Sequence, residues 1–306
     1  MAAKVSQVAT IQVDLDGLWT NLHYYGYESP LSPDTLFTSG LRRYLDLFEE
    51  LGIKATFFVI GKDIEVPEKR ALLLEAHQKR HELANHTFTH PFGFRKLSLK
   101  EKITEIKLGE RAIISVAGKK PLGFKAPGYD TDAEVMSILA EQGYLYDSSI
   151  IPTSAYPLLM RINSVLTRSL HRTHGPRWSW GMAPNAPYHP SLKKIWGKGT
   201  SPLLEVPCTT LPGLRIPIHA TFAVKLGYPF FRSALEIVKR RGIRLNYEFH
   251  AADLSDTITD ARLGHLNGLS LEKRYLLVRK MLQSISKHYR IVTSTELAGE
   301  VLHHGR

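Results

Sequence analysis

The chain has 306 residues, 43% of them hydrophobic, enough to bury a sizeable core and to exclude intrinsic disorder. With 40 Lys and Arg against 29 Asp and Glu, its formal net charge is +11, which favours anionic partners without choosing among nucleic acid, anionic lipid and phosphorylated substrates. A single cysteine, Cys208, excludes an intrachain disulfide, and its place after Val206-Pro207 in an apolar stretch reads as a buried structural thiol.

Val8 to Val13 reads as a short apolar strand. Ser32-Pro33 supplies a cap and a first-turn proline for a helix to about Leu51. Ile53 to Ile60 is rich in β-branched and aromatic residues, as a buried strand is. A helix follows over Pro67 to Lys79, then a strand over His81 to Asn85. Ser98 with Glu101 makes a capping box before a helix with apolar Ile103, Ile106, Ile113 and Val116. Leu122 to Ala126 is a strand, Thr131 with Glu134 opens the next helix, and Tyr144 to Asp147 is another strand. Later come a strand at Leu203 to Cys208, a helix at Tyr228 to Arg241 stopped by Gly242, a strand at Arg244 to Phe249, a helix at Ser270 to Lys287, and a strand at Tyr289 to Val292. Thr293 with Glu296 caps the last helix. Such β/α alternation predicts a parallel sheet whose reactive residues gather at the carboxyl ends of its strands.

The alternation breaks at Ser148 to Leu204. This stretch has no Asp or Glu, seven Lys and Arg, and the tryptophans Trp178, Trp180 and Trp196. Leu158 to Leu170 has the pattern of an amphipathic helix, with Arg161, Arg168 and Arg172 toward one flank. It could lie in a membrane interface or pack on the sheet. The expected organisation is one domain over 1–306 with a basic insertion at about 148–204, which makes Arg161, Arg168, Arg172, Trp178 and Trp180 candidate membrane contacts. Neither a signal-peptide core nor a bilayer-spanning run appears, so a cytoplasmic protein is expected, peripheral on the inner membrane face if the insertion binds lipid.

Three predicted strand ends carry acid or imidazole groups. Asp14 and Asp16 are two apart and share a face on a strand. His86 and His90 are four apart, which suits one helical turn or a tight loop. His250 follows the strand ending at Phe249. Each is weak alone, because strand-end acids form turns and 14 histidines produce such pairs by chance. Together, one carboxylate and two imidazoles leave a metal open to water, the pattern of catalytic zinc. The remaining acid and histidine could then serve as general base and general acid.

These residues resemble the NodB-homology polysaccharide deacetylases, carbohydrate esterase family four. The likeness covers Ile11 to Ser149 and Leu203 to Leu297. Ile11-Gln12-Val13-Asp14-Leu15-Asp16-Gly17 resembles the first motif, Asn85-His86-Thr87-Phe88-Thr89-His90 the second, and Phe124-Lys125-Ala126-Pro127-Gly128-Tyr129 the third. Tyr146-Asp147-Ser148-Ser149 resembles the fourth and Phe249-His250 the fifth. The resemblance implies an α/β fold, a distorted (β/α)7 barrel. It implies Asp14 as base, Asp16, His86 and His90 as ligands of one divalent ion, zinc, and His250 as general acid. It also implies that the third motif (Lys125, Pro127, Tyr129) shapes the groove, and that the Tyr129 backbone N–H helps bind the oxyanion. The reaction expected is removal of an N-acetyl or N-formyl group from an amino sugar.

Two departures from the family pattern stand out. A residue separates the two aspartates of the first motif, and Lys125 stands where the family usually has Arg. Lysine cannot fork onto a carboxylate, so the base is expected to be held less firmly. The Asp-x-Asp spacing and Val206 to Pro212 are similar to a narrower group that deacylates sugars on undecaprenyl phosphate. That gives a polyprenyl-phosphate-linked amino sugar and an anionic membrane surface as expected partners. The rival readings are a hydrolase of non-sugar amides or cyclic imides, and a catalytically silent membrane- or nucleic-acid-binding protein. No nucleic-acid module is present, and no nucleic acid is expected as a partner.

Overall fold

The computed structural model describes residues 7–154, 175, 177–266 and 268–304. Its strands are β1 (Val8–Asp14), β2 (Thr56–Val59), β3 (Glu82–Asn85), β4 (Gly123–Phe124), β5 (Tyr146–Asp147), β6 (Pro190–Ser191), β7 (Lys194–Lys198), β8 (Leu204–Glu205), β9 (Leu245–His250) and β10 (Arg290–Val292). Eight of them form one parallel sheet in the order β10-β1-β2-β3-β4-β5-β8, with β9 also paired to β1, while β6 and β7 make a separate antiparallel hairpin. The sheet curls into a half-barrel flanked by helices, the distorted (β/α)7 architecture expected from the motifs.

β1 organises the sheet. It pairs with β2 from Gln12↔Thr56 to Asp14↔Phe58, with β9 from Ala9↔Leu245 to Asp14↔His250, and with β10 from Val8↔Arg290 to Thr10↔Val292. Alternation along β9 explains its two faces. Leu245, Tyr247 and Phe249 join the core cluster with Phe37, Phe48 and Met281; Asn246 and Glu248, on the other face, are buried polar residues. Burying each such apolar side chain stabilises by about 1.5–3 kcal/mol.

The helices are α1 (Leu18–Tyr24), α2 (Thr35–Leu51), α3 (Pro67–Gln78), α4 (Leu99–Ala117), α5 (Ala133–Glu141), α6 (Ala220–Arg240), α7 (Leu271–His288) and α8 (Ser294–His304). The Ser98–Glu101 capping box forms as expected, and the Thr293 and Glu296 side chains cap each other's backbone N–H at the start of α8. The caps of two other helices lie elsewhere. α2 is capped by Asp34 rather than Ser32, its carboxylate accepting from Phe37 N–H at 3.0 Å. α5 is capped by Asp132 rather than Thr131, accepting from Val135 N–H at 3.0 Å. α6 starts eight residues earlier than predicted and bends at Gly227 (φ 83°) beside Pro229.

Trp180 is fully buried with Phe124, Met136 and Leu203, so it is a core residue and not a membrane contact. Its neighbour Trp178 is 60% exposed. The predicted helix Leu158 to Leu170, with Arg161, Arg168 and Arg172, lies outside the described residues. Among the described residues no helix is long and apolar enough to cross a membrane.

Candidate active site

The carboxyl ends of β1, β3, β4 and β9 open into a cleft of about 260 Å³. Asp14, Asp16, His86, His90, Lys125, Tyr129 and His250 all line it. Seven positions from four sequence segments therefore meet in one place. The acids and imidazoles here form two adjoining clusters, Asp16 with His86 and His90, and Asp14 and His250 with Glu248 behind the cleft wall.

The first cluster sits on a loop rather than a helical turn. In that loop Thr87 (φ 66°) and His90 (φ 53°) adopt left-handed backbone, which costs a side-chain-bearing residue about 1–3 kcal/mol and persists only where neighbours impose it. The neighbours are identifiable. Glu105 of α4 accepts from the Phe88 and Thr89 backbone N–H groups and from the Thr89 hydroxyl. Asn85 Oδ1 accepts from Thr87 N–H, and Thr87 Oγ1 from His90 N–H. Asp16 Oδ1 lies 3.7 Å from His86 Nε2 and 3.3 Å from His90 Nε2.

Several observations show that these groups fit a metal ion. Asp16 Oδ1 and both His90 ring nitrogens are buried without a hydrogen-bond partner, a costly arrangement unless something binds them. His86 Nδ1 lies 2.7 Å from the Lys125 carbonyl oxygen; a proton there leaves Nε2 as a lone pair toward Asp16. Burial pushes the His86 pKa down to about 3, and burial lowers that of His90. For Asp16, burial opposes ionisation, but His90 and His86 outweigh it and lower its pKa. Two neutral imidazoles and a carboxylate are the donor set that zinc accepts.

The second cluster is built around a buried ammonium. Lys125 Nζ donates to Asp14 Oδ1 and to Glu248 Oε2, both at 2.7 Å, and sits 4.4 Å from the centre of the Phe58 ring. Burial alone would lower the Lys125 pKa, but Asp14 and Glu248 outweigh it and raise it. Asp14 is pushed up to about 7 by burial, with Lys125 opposing and Glu248 adding to the rise. Glu248 is held down to about 2, because Lys125 and then His250 overcome its burial. His250 Nε2 lies 3.7 Å from Glu248 Oε1. Burial works against its protonation, yet Glu248, Asp14 and Asp253 raise its pKa.

The loss of grip expected from a lysine in the third motif is offset here. A second carboxylate, Glu248, also accepts from the ammonium. Two other expectations from that motif do not hold. The Tyr129 backbone N–H donates to the Ala126 carbonyl at 3.1 Å in a tight turn and is not directed at a substrate oxygen. The Tyr129 hydroxyl instead donates to Glu248 Oε1. Pro127 is buried in the same turn and does not line the cleft.

The sequence reading missed Glu248, although it is two residues before His250 and shares its strand face. It also missed α1, which has no capping side chain and is held by tertiary contacts such as Leu18 N–H to Asp34 at 2.9 Å. This helix gives the cleft Thr20, Asn21, Tyr24 and Tyr25. Tyr24 meets Phe92 edge-on at 5.1 Å, and Phe92 meets the His90 ring at 5.2 Å.

Residues 31–146 match the family described as polysaccharide deacetylase. Over that stretch, just over a third of its length, the chain is similar to the NodB-homology polysaccharide deacetylases. It is 27% identical over 173 residues to a peptidoglycan deacetylase of Helicobacter pylori, covering 54% of this chain and 57% of that protein. It is 30% identical over 99 residues to chitin deacetylase 1 of Cryptococcus neoformans var. grubii, 32% of this chain and 20% of that one. The matched stretches thus span little more than half of one relative and a fifth of the other. In three dimensions it resembles a Mycobacterium smegmatis protein assigned to the polysaccharide deacetylases, with a TM-score of 0.64 and 16% identity, covering 100% of this chain and 94% of that one. It also resembles an allantoinase, with a TM-score of 0.63 and 14% identity, covering 97% and 90%. At such identities the two structures speak for the fold alone.

Proposed function

We propose that this chain is a metal-dependent hydrolase that removes the acyl group from an N-acylated amino sugar. The supporting observation is the juxtaposition, in one cleft, of an orphaned Asp16–His86–His90 donor set and a separate acid–base pair, Asp14 and His250. A divalent ion held by that donor set, zinc by its ligand types, supplies Lewis-acid polarisation of an amide carbonyl and acidifies water. Asp14, with a pKa near neutrality and one oxygen anchored by Lys125, takes the proton of the attacking water. His250, on the adjoining strand, gives a proton to the leaving nitrogen. Its Nε2 faces Glu248, so it carries its proton beside a permanent negative charge. Tyr24, Tyr25 and Phe92 offer apolar ring faces suited to a sugar.

The polyprenyl-phosphate-linked form of the substrate is supported by the acid-free stretch 148–204 and the exposed Trp178. The test is metal analysis of purified protein with an amine-release assay on N-acetylated and N-formylated amino sugars, using a cyclic imide as comparison. One ion per chain and amine from the sugars are expected. Turnover of the imide alone would overturn the sugar reading. Sedimentation with phosphatidylglycerol vesicles at low and high salt tests the membrane surface, and no binding at low salt would remove it.

A further inference from the structure

Glu248 lies outside the five motif runs, yet its carboxylate meets Lys125, Tyr129 and His250. It is fully buried. Oε2 accepts from Lys125 Nζ at 2.7 Å, Oε1 accepts from the Tyr129 hydroxyl, and Oε1 lies 3.7 Å from His250 Nε2. Lys125 also donates to Asp14, so an unbroken line of polar contacts runs from Asp14 through Lys125 and Glu248 to His250. An ammonium is a point charge without the fork of a guanidinium, and one anchor does not fix its direction. A buried carboxylate costs several kcal/mol unless it is paired, and each of its oxygens here is engaged by the site. Glu248 does not line the cleft.

We propose that Glu248 is a positioning residue that ties Asp14 to His250, aiming Lys125 at the one and holding a fixed negative charge against the other. The roles of Asp14 and His250 as base and acid rest on the proposed function; the linkage itself does not. The groups facing His250 are the carboxylates of Glu248, Asp14, Asp253 and Asp16 and the buried imidazole of His219, its ring 6.5 Å away. Lys125 faces it across Glu248. Removing one negative charge from this set weakens proton binding at His250.

The experiment compares zinc-loaded full-length wild type with Glu248→Gln and Glu248→Asp. It reads the His250 imidazole titration by NMR, the kcat and KM for amine release, metal content and cooperative melting. Glu248→Gln is expected to lower the His250 midpoint by about one pH unit and to move the alkaline limb of kcat the same way. It should reduce kcat roughly tenfold to a hundredfold with KM and metal content nearly unchanged. Glu248→Asp keeps the charge and is expected to restore the midpoint while recovering kcat only in part. An unmoved midpoint in the Gln variant overturns the linkage. If that variant does not melt cooperatively, the Asp variant decides, because full kcat with a carboxylate one methylene short overturns it equally. A wild type that releases no amine, with the midpoint still falling in Glu248→Gln, sinks the deacetylase reading and leaves the linkage standing.

Discussion

Two lysines of this protein are buried in nearly the same way and serve different ends. Lys69 donates to Asp34 at 2.7 Å and Asp63 at 2.6 Å, with the Phe37 ring 4.9 Å away. Lys125 donates to Asp14 and Glu248 at 2.7 Å each, with Phe58 at 4.4 Å. What differs is where the carboxylates turn their remaining bonds. Around Lys69 they go to the scaffold: Asp34 takes the Leu18 and Phe37 N–H groups, and Asp63 takes Trp19 Nε1–H at 2.8 Å. This bridge pins α1, which walls the cleft. Around Lys125, Asp14 faces the cleft and Glu248 faces Tyr129 and His250. A buried ion bridge thus serves the scaffold or the cleft according to what else its carboxylates meet, not according to its own geometry.

The largest expected effect is on turnover. Asp14→Asn should slow amine release by roughly 10²–10⁴-fold while metal content stays at the wild-type level, whereas Asp16→Asn should lose the metal. Equal metal loss in both, read by elemental analysis, would erase the division between the two clusters. Next is the scaffold bridge. Lys69→Met strands two buried carboxylates and should cost about 3–5 kcal/mol of stability, measured by urea denaturation. If Lys125→Met costs as much stability with no greater loss of kcat, the two bridges do the same job and the comparison fails.

A third effect sets the pH window in which the bridges can be compared. His81 is buried, its Nδ1 accepts from Ala55 N–H at 3.1 Å, and burial pushes its pKa down to about 4. The unfolded chain therefore binds the proton more readily than the folded one. The stabilisation is complete above about pH 6.5 and is lost as pH falls toward 4, up to about 3 kcal/mol. Urea titrations at several pH values should show this slope, and His81→Leu should flatten it; an unchanged slope would assign it to other groups. Smallest is Trp19→Phe, which removes one hydrogen bond to Asp63 and should cost about 1.5–3 kcal/mol. A neutral result would mean that Lys69 alone holds that carboxylate.

The motif residues were legible in the sequence because each sits at a strand end or in a tight loop with a distinctive spacing. Glu248 and the Asp34–Lys69–Asp63 bridge were not, because a buried charge looks in sequence like a solvated one until its partner from another segment is known. Glu248 did leave a trace. Asn246, Glu248 and His250 alternate with Leu245, Tyr247 and Phe249, so the polar set had to share one face with His250. The helix caps went to Asp34 and Asp132 because each immediately precedes the first helical residue and its carboxylate accepts from a free N–H of the first turn. The direction of the Tyr129 N–H depended on a left-handed turn (φ 58°) that its side chain does not advertise.

The pairing of β1 with β9 has a consequence for how the protein is born. Thr10 bonds to Asn246 across 236 residues of chain, and Asp14 lies in register with His250. Asp16, His86 and His90 are synthesised well before the strand that steadies their sheet, which arrives with His250. Such long-range parallel pairing forms slowly. During that interval the nascent chain carries Asp14, Asp16, His86 and His90 without His250, Glu248 or the sheet edge beside them, so the cleft is completed only after β9 has been made.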